Sequence, residues 1–215
     1  MGYYNKMKVK MMDQKKKKVL EEAKKLFLNN GIINTSMSDI ANIFNVNRRS
    51  IYRLFATKED IAYKIAISIL KEWNGDNEKE YALLGGNGLK KLETFLYRLI
   101  DDMNEKYLEM KFLTEFDFYF RNDPLRKVDI KNRDEYEEVV MNANVYIKNL
   151  LREGVNDGSM NSEINVRLME STISNVLWSF GQNISIRGNT IEKETGIDPI
   201  LIIKNQVKLY IKALK

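Results

Sequence analysis

Polar side chains able to bind an anionic polymer are concentrated between Thr35 and Lys58. Arginine can hold a phosphate or a guanine edge through two parallel hydrogen bonds, and hydroxyl and amide groups add single ones. The pattern therefore favours contacts with phosphates and base edges over bond-breaking chemistry. Nine residues are candidates for such contacts: Thr35, Ser36, Asn47, Arg48, Arg49, Ser50, Tyr52, Arg53 and Lys58.

The residues that most enzymes and metal sites require are missing. The 215-residue chain contains no cysteine and no histidine, which removes thiolate ligands, disulfides and the usual general base. No apolar run reaches the length of about 18 residues that a membrane span needs. We therefore expect a cytoplasmic protein that is not an enzyme and has no cofactor or metal. A helical enzyme that uses carboxylates, lysine or tyrosine is the alternative.

Positive charge is unevenly distributed along the chain. The formal net charge is +5, and the segment from Lys6 to Lys25 is rich in lysine. Such an excess is typical of proteins with a polyanionic partner. A solvated helix face with a mobile tail, or attachment to anionic membranes, would give the same composition. Residues 1–12 have no clear periodicity and are expected to form a flexible basic arm.

Three helices are predicted to position the candidate residues. The first runs from Asp13 to Asn30 and stops at Gly31. Ser36 and Asp39 have capping-box spacing at the start of a second, short helix. Asn45 can adopt the left-handed conformation of a tight turn, and Asn47 can cap a third helix that reaches Phe55.

Two short helices joined by a tight turn, the second of them basic, form a helix-turn-helix. In this motif the first helix braces against the phosphate backbone, and the second presents its N-terminal residues to the major groove. Five apolar residues have the spacing that would hold the helices together: Ile40, Ala41, Val46, Ile51 and Phe55.

This segment resembles the DNA-binding signature of the TetR family of regulators, over about Leu20 to Ile61. The resemblance depends on Phe27 with Gly31, the run Thr35 to Ala41, Val46, Ser50-Ile51-Tyr52, Phe55 and Lys58-Glu59. It implies a regulator, typically a repressor, that binds a palindromic DNA operator as a homodimer and is released by a small molecule. The chain departs from the family pattern at Asn45, where glycine is usual, and at Arg49, where a small residue is usual. We hypothesise that Arg49 reads a base directly.

The expected fold is all-α, with about nine helices. The helix-turn-helix domain would occupy residues 13–60, and a fourth helix, 58–73, would bridge to a larger domain at 74–215 and act as its lever. The stretch from Asn74 to Gly88 is rich in turn-forming residues and is predicted to be a connection. Long helices are predicted at 134–153 and 165–187, an element begins at Asp123-Pro124, and a last helix runs from Asp198-Pro199 to Leu214.

The larger domain contains candidates for two further functions. Apolar stripes on its last two helices predict a dimer interface made by Met169, Ile173, Val176, Phe180, Ile203, Val207 and Tyr210. An effector pocket for an apolar or aromatic molecule is predicted at Phe95, Phe112, Phe116, Tyr119, Tyr146, Asn175, Trp178 and Gln182. The alternatives are packing within one subunit for the first set and ordinary core for the second. A DNA-binding protein without a ligand, or an activator, also fits the sequence.

Overall fold

The structure is a computed structural model that describes residues 2–121, 128–143 and 145–215. These residues form ten α-helices and no strand, which confirms the all-α prediction. The predicted element at Asp123-Pro124 lies outside the described residues. The helices are α1 (Gly2–Asn30), α2 (Met37–Ile43), α3 (Arg48–Tyr52), α4 (Lys58–Ala82), α5 (Gly88–Glu105), α6 (Tyr107–Arg121), α7 (Ile130–Asn142), α8 (Val145–Asn156), α9 (Val166–Thr195) and α10 (Pro199–Ala213).

The chain divides into two compact units. Unit 1 combines Met1–Ile69 with Phe112–Glu138, and unit 2 combines Leu70–Lys111 with Val139–Lys215. The sequence had predicted one boundary near residue 60, with everything from 74 onward in the larger domain. The division differs because aromatic residues of α6 pack against the N-terminal helices. Helices α4, α6 and α7 each continue from one unit into the other, so α4 is not the only continuous connection.

Helix α1 starts at Gly2 rather than at Asp13, so the residues predicted to form a flexible arm are helical. Lysine, methionine and glutamine all have high helix propensity, and no glycine or proline interrupts residues 3–30. Among the α1 side chains that the structure describes, Val19 is the first buried one. The helix ends at Gly31, which has a φ of 84° and donates its N–H to the Phe27 carbonyl.

An aromatic core joins the parts of unit 1 that are distant in sequence. Phe112 stacks on Phe27 of α1 with ring centroids 6.2 Å apart. The rings of Phe116 and Phe120 both pack against the Tyr63 ring of α4 in a T-shaped geometry, with ring centroids 4.8 and 4.6 Å apart. Burial of several large aromatic rings is a strong stabilising contribution, and it explains why this part of α6 belongs to unit 1.

The core of unit 2 is formed by α5, α8, α9 and α10. Leu92, Leu96, Leu150, Leu177 and Val207 are fully buried there. At the start of α5, Gly88 lies directly against the backbone of Gly154 in α8.

Two predicted element boundaries in unit 2 were wrong. Helix α4 continues to Ala82, through most of the segment predicted to be a connection. Its last turns are held by an ion pair between Asp76 and Lys106 and by the Trp73 indole N–H, which donates to Glu109. The helix predicted at 134–153 is divided, because α7 ends at Asn142 and α8 begins at Val145. No helix in the described part of the chain is long and apolar enough to cross a membrane.

Candidate DNA-binding site

Helices α2 and α3 are held by a short turn and a shared apolar core. Asn45 has a φ of 50°, the left-handed conformation that the sequence predicted for it. The turn closes through the Val46 N–H, which donates to the Ala41 carbonyl at 3.2 Å. Ile40, Ala41, Ile51 and Phe55 are buried as predicted, whereas Val46 is 39% exposed and does not lock the helices together.

The N-terminus of α2 is fixed by a capping box. The Asp39 N–H donates to the Ser36 hydroxyl oxygen, and the Ser36 N–H donates to the Asp39 carboxylate at 2.8 Å. The Ser36 hydroxyl also donates to that carboxylate, and these bonds hold the pKa of Asp39 below its ordinary value. Ser36 is exposed, but its hydroxyl proton is already used within the protein.

Thr35, the neighbouring candidate, is buried. It is 2% exposed, and its hydroxyl donates to the Gly31 carbonyl at 2.8 Å. A buried side chain that satisfies a helix-end carbonyl is part of the scaffold, so this position argues against the predicted contact between Thr35 and DNA. The spacing was right for the motif, but exposure depends on packing that a local pattern does not report.

Helix α3 begins at a second cap. The Asn47 side-chain oxygen accepts hydrogen bonds from the Ser50 N–H and from the Ser50 hydroxyl, both at 3.0 Å. The Asn47 amide group keeps its two N–H donors for another partner. Both residues thus hold the first turn of α3 in a fixed conformation at the end that would approach base edges.

The exposed face of α3 is basic. Arg48, Arg49, Tyr52 and Arg53 are all exposed. The Arg48 guanidinium donates to the Tyr52 hydroxyl at 2.6 Å and lies over the Tyr52 ring, 5.1 Å from its centroid. Within the described residues, neither the Arg49 nor the Arg53 guanidinium has a side-chain partner. Two guanidinium groups are therefore available to phosphates or base edges from one short helix.

Lys58 differs from its predicted role. Its ammonium donates to the Ile32 carbonyl at 2.6 Å and lies 5.7 Å from the centroid of the Tyr119 ring. A half-buried ammonium that already has a carbonyl and an aromatic ring as neighbours is directed inward. The structure thus gives Lys58 a place in the scaffold of unit 1, in contrast to the expected phosphate contact.

Several residues that hold α2 and α4 in place have no signal in the local sequence. Glu115 of α6 accepts the Ile33 N–H at 3.0 Å, in the connection between α1 and α2. Asp60 is buried and forms the cap of α4 with Thr57, whose hydroxyl donates to the Asp60 carboxylate and accepts the Asp60 N–H. The other Asp60 oxygen accepts from the Asn132 amide and the Asp129 N–H, which lie about 70 positions further along the chain. Periodicity and capping patterns do not report such distant partners.

The eight predicted effector residues are divided between the two units. Phe112, Phe116 and Tyr119 belong to unit 1, where the two phenylalanines are solid core and the Tyr119 hydroxyl donates to Glu59 at 2.9 Å. The other five belong to unit 2: Phe95, Tyr146, Asn175, Trp178 and Gln182. An aromatic stripe at helical spacing indicates a packed face, and here the face is closed by other aromatic rings rather than by a ligand.

Unit 2 contains a half-open cleft of about 230 Å³ between α5, α9 and α10. Its floor is apolar and includes Ile100, Met103 and Ile203, and Gly188 leaves one wall open. Its rim contains amide, phenol and carboxylate groups: Asn104, Tyr107, Asn189, Glu192 and Asp198. None of the predicted effector residues lines this cleft. In the described part of the chain, no cluster of acidic residues could hold a metal ion.

The predicted dimer residues are mostly inside one subunit. Ile173, Ile203, Val207 and Tyr210 are buried in the core of unit 2, and Met169 and Phe180 pack against it. Only Val176 is exposed. Both faces of α9 and α10 carry apolar residues, and six of the seven predicted residues lie on the face turned into the subunit. The outward faces expose other large apolar side chains: Leu168 (65%), Ile186 (61%), Leu201 (59%) and Leu209 (51%).

The N-terminal region matches a known family. The family model described as bacterial regulatory proteins, tetR family, matches residues 19–64, which include α2, α3 and the start of α4. Residues 19–64 therefore form a DNA-binding domain of the TetR family. The chain is a DNA-binding transcription regulator, and the helix-turn-helix of this domain is its DNA-binding element. No curated protein shows significant sequence similarity to the chain.

Solved structures share the fold of the chain over nearly its whole length. The fatty acid degradation regulator FadR from Bacillus halodurans is 18% identical, with a TM-score of 0.63 over 92% of this chain and 94% of that one. FadR from Bacillus subtilis, in complex with stearoyl-CoA, is 16% identical, with a TM-score of 0.66 over 92% and 98%. PfmR from Thermus thermophilus is 20% identical, with a TM-score of 0.64 over 90% and 97%.

Proposed function

We propose that this TetR-family regulator is a repressor that binds a palindromic operator as a homodimer and is released by a small apolar molecule. The observation that carries the proposal is the exposed basic face of α3, where Arg49 and Arg53 have no partner within the described residues. A capped helix start with free guanidinium groups suits reading of base edges in a major groove. Arg49 is the proposed reader of a guanine.

The homodimer is proposed to form through the outward faces of α9 and α10. Leu168, Val176, Leu201 and Leu209 are large apolar residues that one subunit leaves exposed. Self-association would cover this surface, and a two-fold axis would present two α3 helices to half-sites about one helical turn apart. The palindrome follows from this symmetry.

Selection of bound duplexes from a random DNA pool tests the proposal. The expected result is an enriched palindrome, whose affinity falls steeply as salt increases. Arg49→Ala should weaken binding to the selected palindrome by about 1–3 kcal/mol per half-site and weaken a scrambled duplex less. Equal losses on both duplexes would remove Arg49 as a base reader. No enriched motif would refute sequence-specific binding. Repression is checked with a reporter placed downstream of the palindrome.

The cleft of unit 2 is the proposed effector site. Its floor suits a hydrocarbon or aromatic group, and Asn104 and Asn189 on its rim suit a polar head. Its volume, about 230 Å³, is just below the usual range for drug-sized ligands, about 300–1,000 Å³, so the buried part of the effector is small. Fatty acyl compounds are the first class to test, because FadR from Bacillus subtilis forms a complex with stearoyl-CoA.

A variant that fills the cleft separates ligand binding from folding. At Gly188 an added Cβ meets only Ile184, at an ordinary 3.6 Å. Gly188→Leu should therefore leave operator affinity unchanged and abolish release of the operator by free fatty acids or acyl-CoA. Release that is undiminished in this variant would place the effector elsewhere. An effector and the operator must weaken each other reciprocally, which calorimetric titration in both orders can check.

A further inference from the structure

The first eighteen residues carry the positive charge of this chain. Residues 1–18 contain seven lysines and one aspartate, a formal charge of +6. Because the whole chain has a net charge of +5, residues 19–215 together have a charge of −1. Apart from this segment the protein is close to neutral, and its long-range attraction to a polyanion depends on the segment.

The same residues form a helical extension, which we define as Gly2–Lys18. Among the α1 side chains that the structure describes, burial begins at Val19, and the family match also begins at residue 19. At about 1.5 Å per residue the extension adds roughly 25 Å to α1. It is therefore an addition to the DNA-binding domain, and its residues are not needed to form the aromatic core of unit 1.

The described lysines of the extension are unpaired. Lys10, Lys15, Lys17 and Lys18 are exposed and Lys16 is half-exposed. None of these five ammonium groups has an ion pair or a side-chain hydrogen bond with a described residue. Four consecutive residues at about 100° per residue are directed to all sides of a helix, so the run Lys15–Lys18 presents charge whichever side meets a partner.

We propose that this helical extension binds the phosphate backbone of the duplex that α3 reads, and that it supplies most of the salt-dependent part of the affinity. The inference rests on the proposed function, since it assigns a second contact to the same DNA. Charge complementarity favours DNA: a duplex carries one phosphate per about 1.7 Å of axis, so a rod of this length meets many of them. Helix α1 also packs against α2, the helix that braces on the backbone in this motif.

An anionic membrane is the competing partner, and the arrangement of apolar residues disfavours it. Membrane-surface helices have a continuous apolar face opposite their charged one. Met7 and Met11 share one exposed face, but that face continues through Gln14 to Lys18. Among the side chains that the structure describes, this apolar face is therefore limited to two methionines and ends in a charge.

The test uses the full-length chain with Lys15, Lys16, Lys17 and Lys18 all changed to Gln, which keeps helix propensity. Affinity for the selected palindrome and for a scrambled duplex is measured by fluorescence anisotropy over a range of salt concentrations. The slope of log affinity against log salt should fall by about 0.9 for each phosphate that the variant no longer neutralises, up to about 7 for a dimer. The ratio of the two affinities should stay the same, because phosphate contacts carry no sequence information.

A matched control changes four exposed lysines elsewhere to Gln: Lys111, Lys131, Lys193 and Lys215. A slope that falls as much in this control would show that net charge alone matters and would overturn the proposal. Changing Lys15–Lys18 to Arg should restore the slope. An unchanged slope in the Gln variant, with palindrome binding intact, would overturn the extension's role while leaving the proposed function standing. A Gln variant that keeps its DNA affinity and loses only its binding to phosphatidylserine vesicles would likewise overturn the extension's role. A wild-type chain that selects no palindrome would refute the proposed function itself.

Discussion

The close contact between Gly88 and Gly154 can be tested by adding a single methyl group at Gly88. A Cβ at Gly88 would lie 2.2 Å from the Gly154 nitrogen and 2.4 Å from its Cα, far inside van der Waals contact. The atoms in the way are backbone, so no side chain can rotate aside. Gly88→Ala therefore forces α5 and α8 apart.

The cost has two parts. Overpacking of a tight interface typically costs about 1–3 kcal/mol. Separation would also weaken the hydrogen bonds at the start of α5, where the Gly88 N–H donates to Asp157 at 2.6 Å and the Leu89 N–H donates to Ser159 at 3.0 Å. Each is worth about 0.5–1.5 kcal/mol, and the lower entropy of unfolded alanine returns about 0.4–1 kcal/mol. The net loss is about 1–5 kcal/mol, centred on about 3 kcal/mol, a large share of the stability of an ordinary protein, which is about 5–15 kcal/mol.

Thermal unfolding followed by circular dichroism measures the effect. For a chain of this size the midpoint should fall by roughly 5–15 °C. Gly85→Ala is the matched control, because Gly85 lies in the same connection, has no atom within 4 Å of an added Cβ and does not have a positive φ. It should be neutral or slightly stabilising. If Gly88→Ala melted within about 1 °C of Gly85→Ala, the close approach of the two helices would be refuted.

Three further outcomes follow from the burial and hydrogen bonds of single residues. The double variant Val176→Asp, Leu209→Asp should be a folded monomer by light scattering, because both side chains lie on the proposed dimer face; a folded dimer would contradict that face. Thr35→Val should cost about 1 kcal/mol of stability and leave the salt slope of DNA binding unchanged, and a lower slope would restore Thr35 as a phosphate contact. Hydrogen bonds from Ser159 and then from the Gly88 N–H lower the pKa of Asp157 in the folded chain. The stabilisation by ionised Asp157 is complete above its pKa in the unfolded chain and is lost as the pH falls through its pKa in the folded chain. Asp157→Asn should therefore make Tm fall less steeply as the pH is lowered. A dependence of Tm on acid pH that is the same as in the wild type would contradict this.

Local sequence patterns predicted the features whose partners are near in sequence. The caps at Ser36 and Asn47 both bind backbone groups three residues away, so their spacing is visible in the chain itself. The left-handed Asn45 is equally local. These features define the helix-turn-helix, and for this reason the DNA-binding site was the best predicted part of the molecule.

The predictions that burial and hydrogen bonding argue against depend on contacts between distant residues. Lys58 lies at a helix start, where a phosphate site was expected, but the Ile32 carbonyl, 26 positions earlier, accepts its ammonium. Helix α10 has apolar residues on two faces, and periodicity does not distinguish Val207, in the subunit core, from Leu209, on the surface. The stripe at Phe112 and Phe116 is a true helix face, but its partners are Phe27 and Tyr63 rather than a ligand.

The observed helix boundaries change which helix is proposed to connect the effector site to the DNA-binding motif. The sequence pointed to α4 as the only lever, yet three helices run from unit 2 into unit 1. Of these, α6 begins at Tyr107 on the rim of the cleft, and two turns later its Glu115 accepts the N–H of Ile33 beside α2. Helix α6 therefore contains one residue of the proposed effector cleft and one residue that holds the start of the DNA-binding motif, so α4 is not the only candidate for the lever.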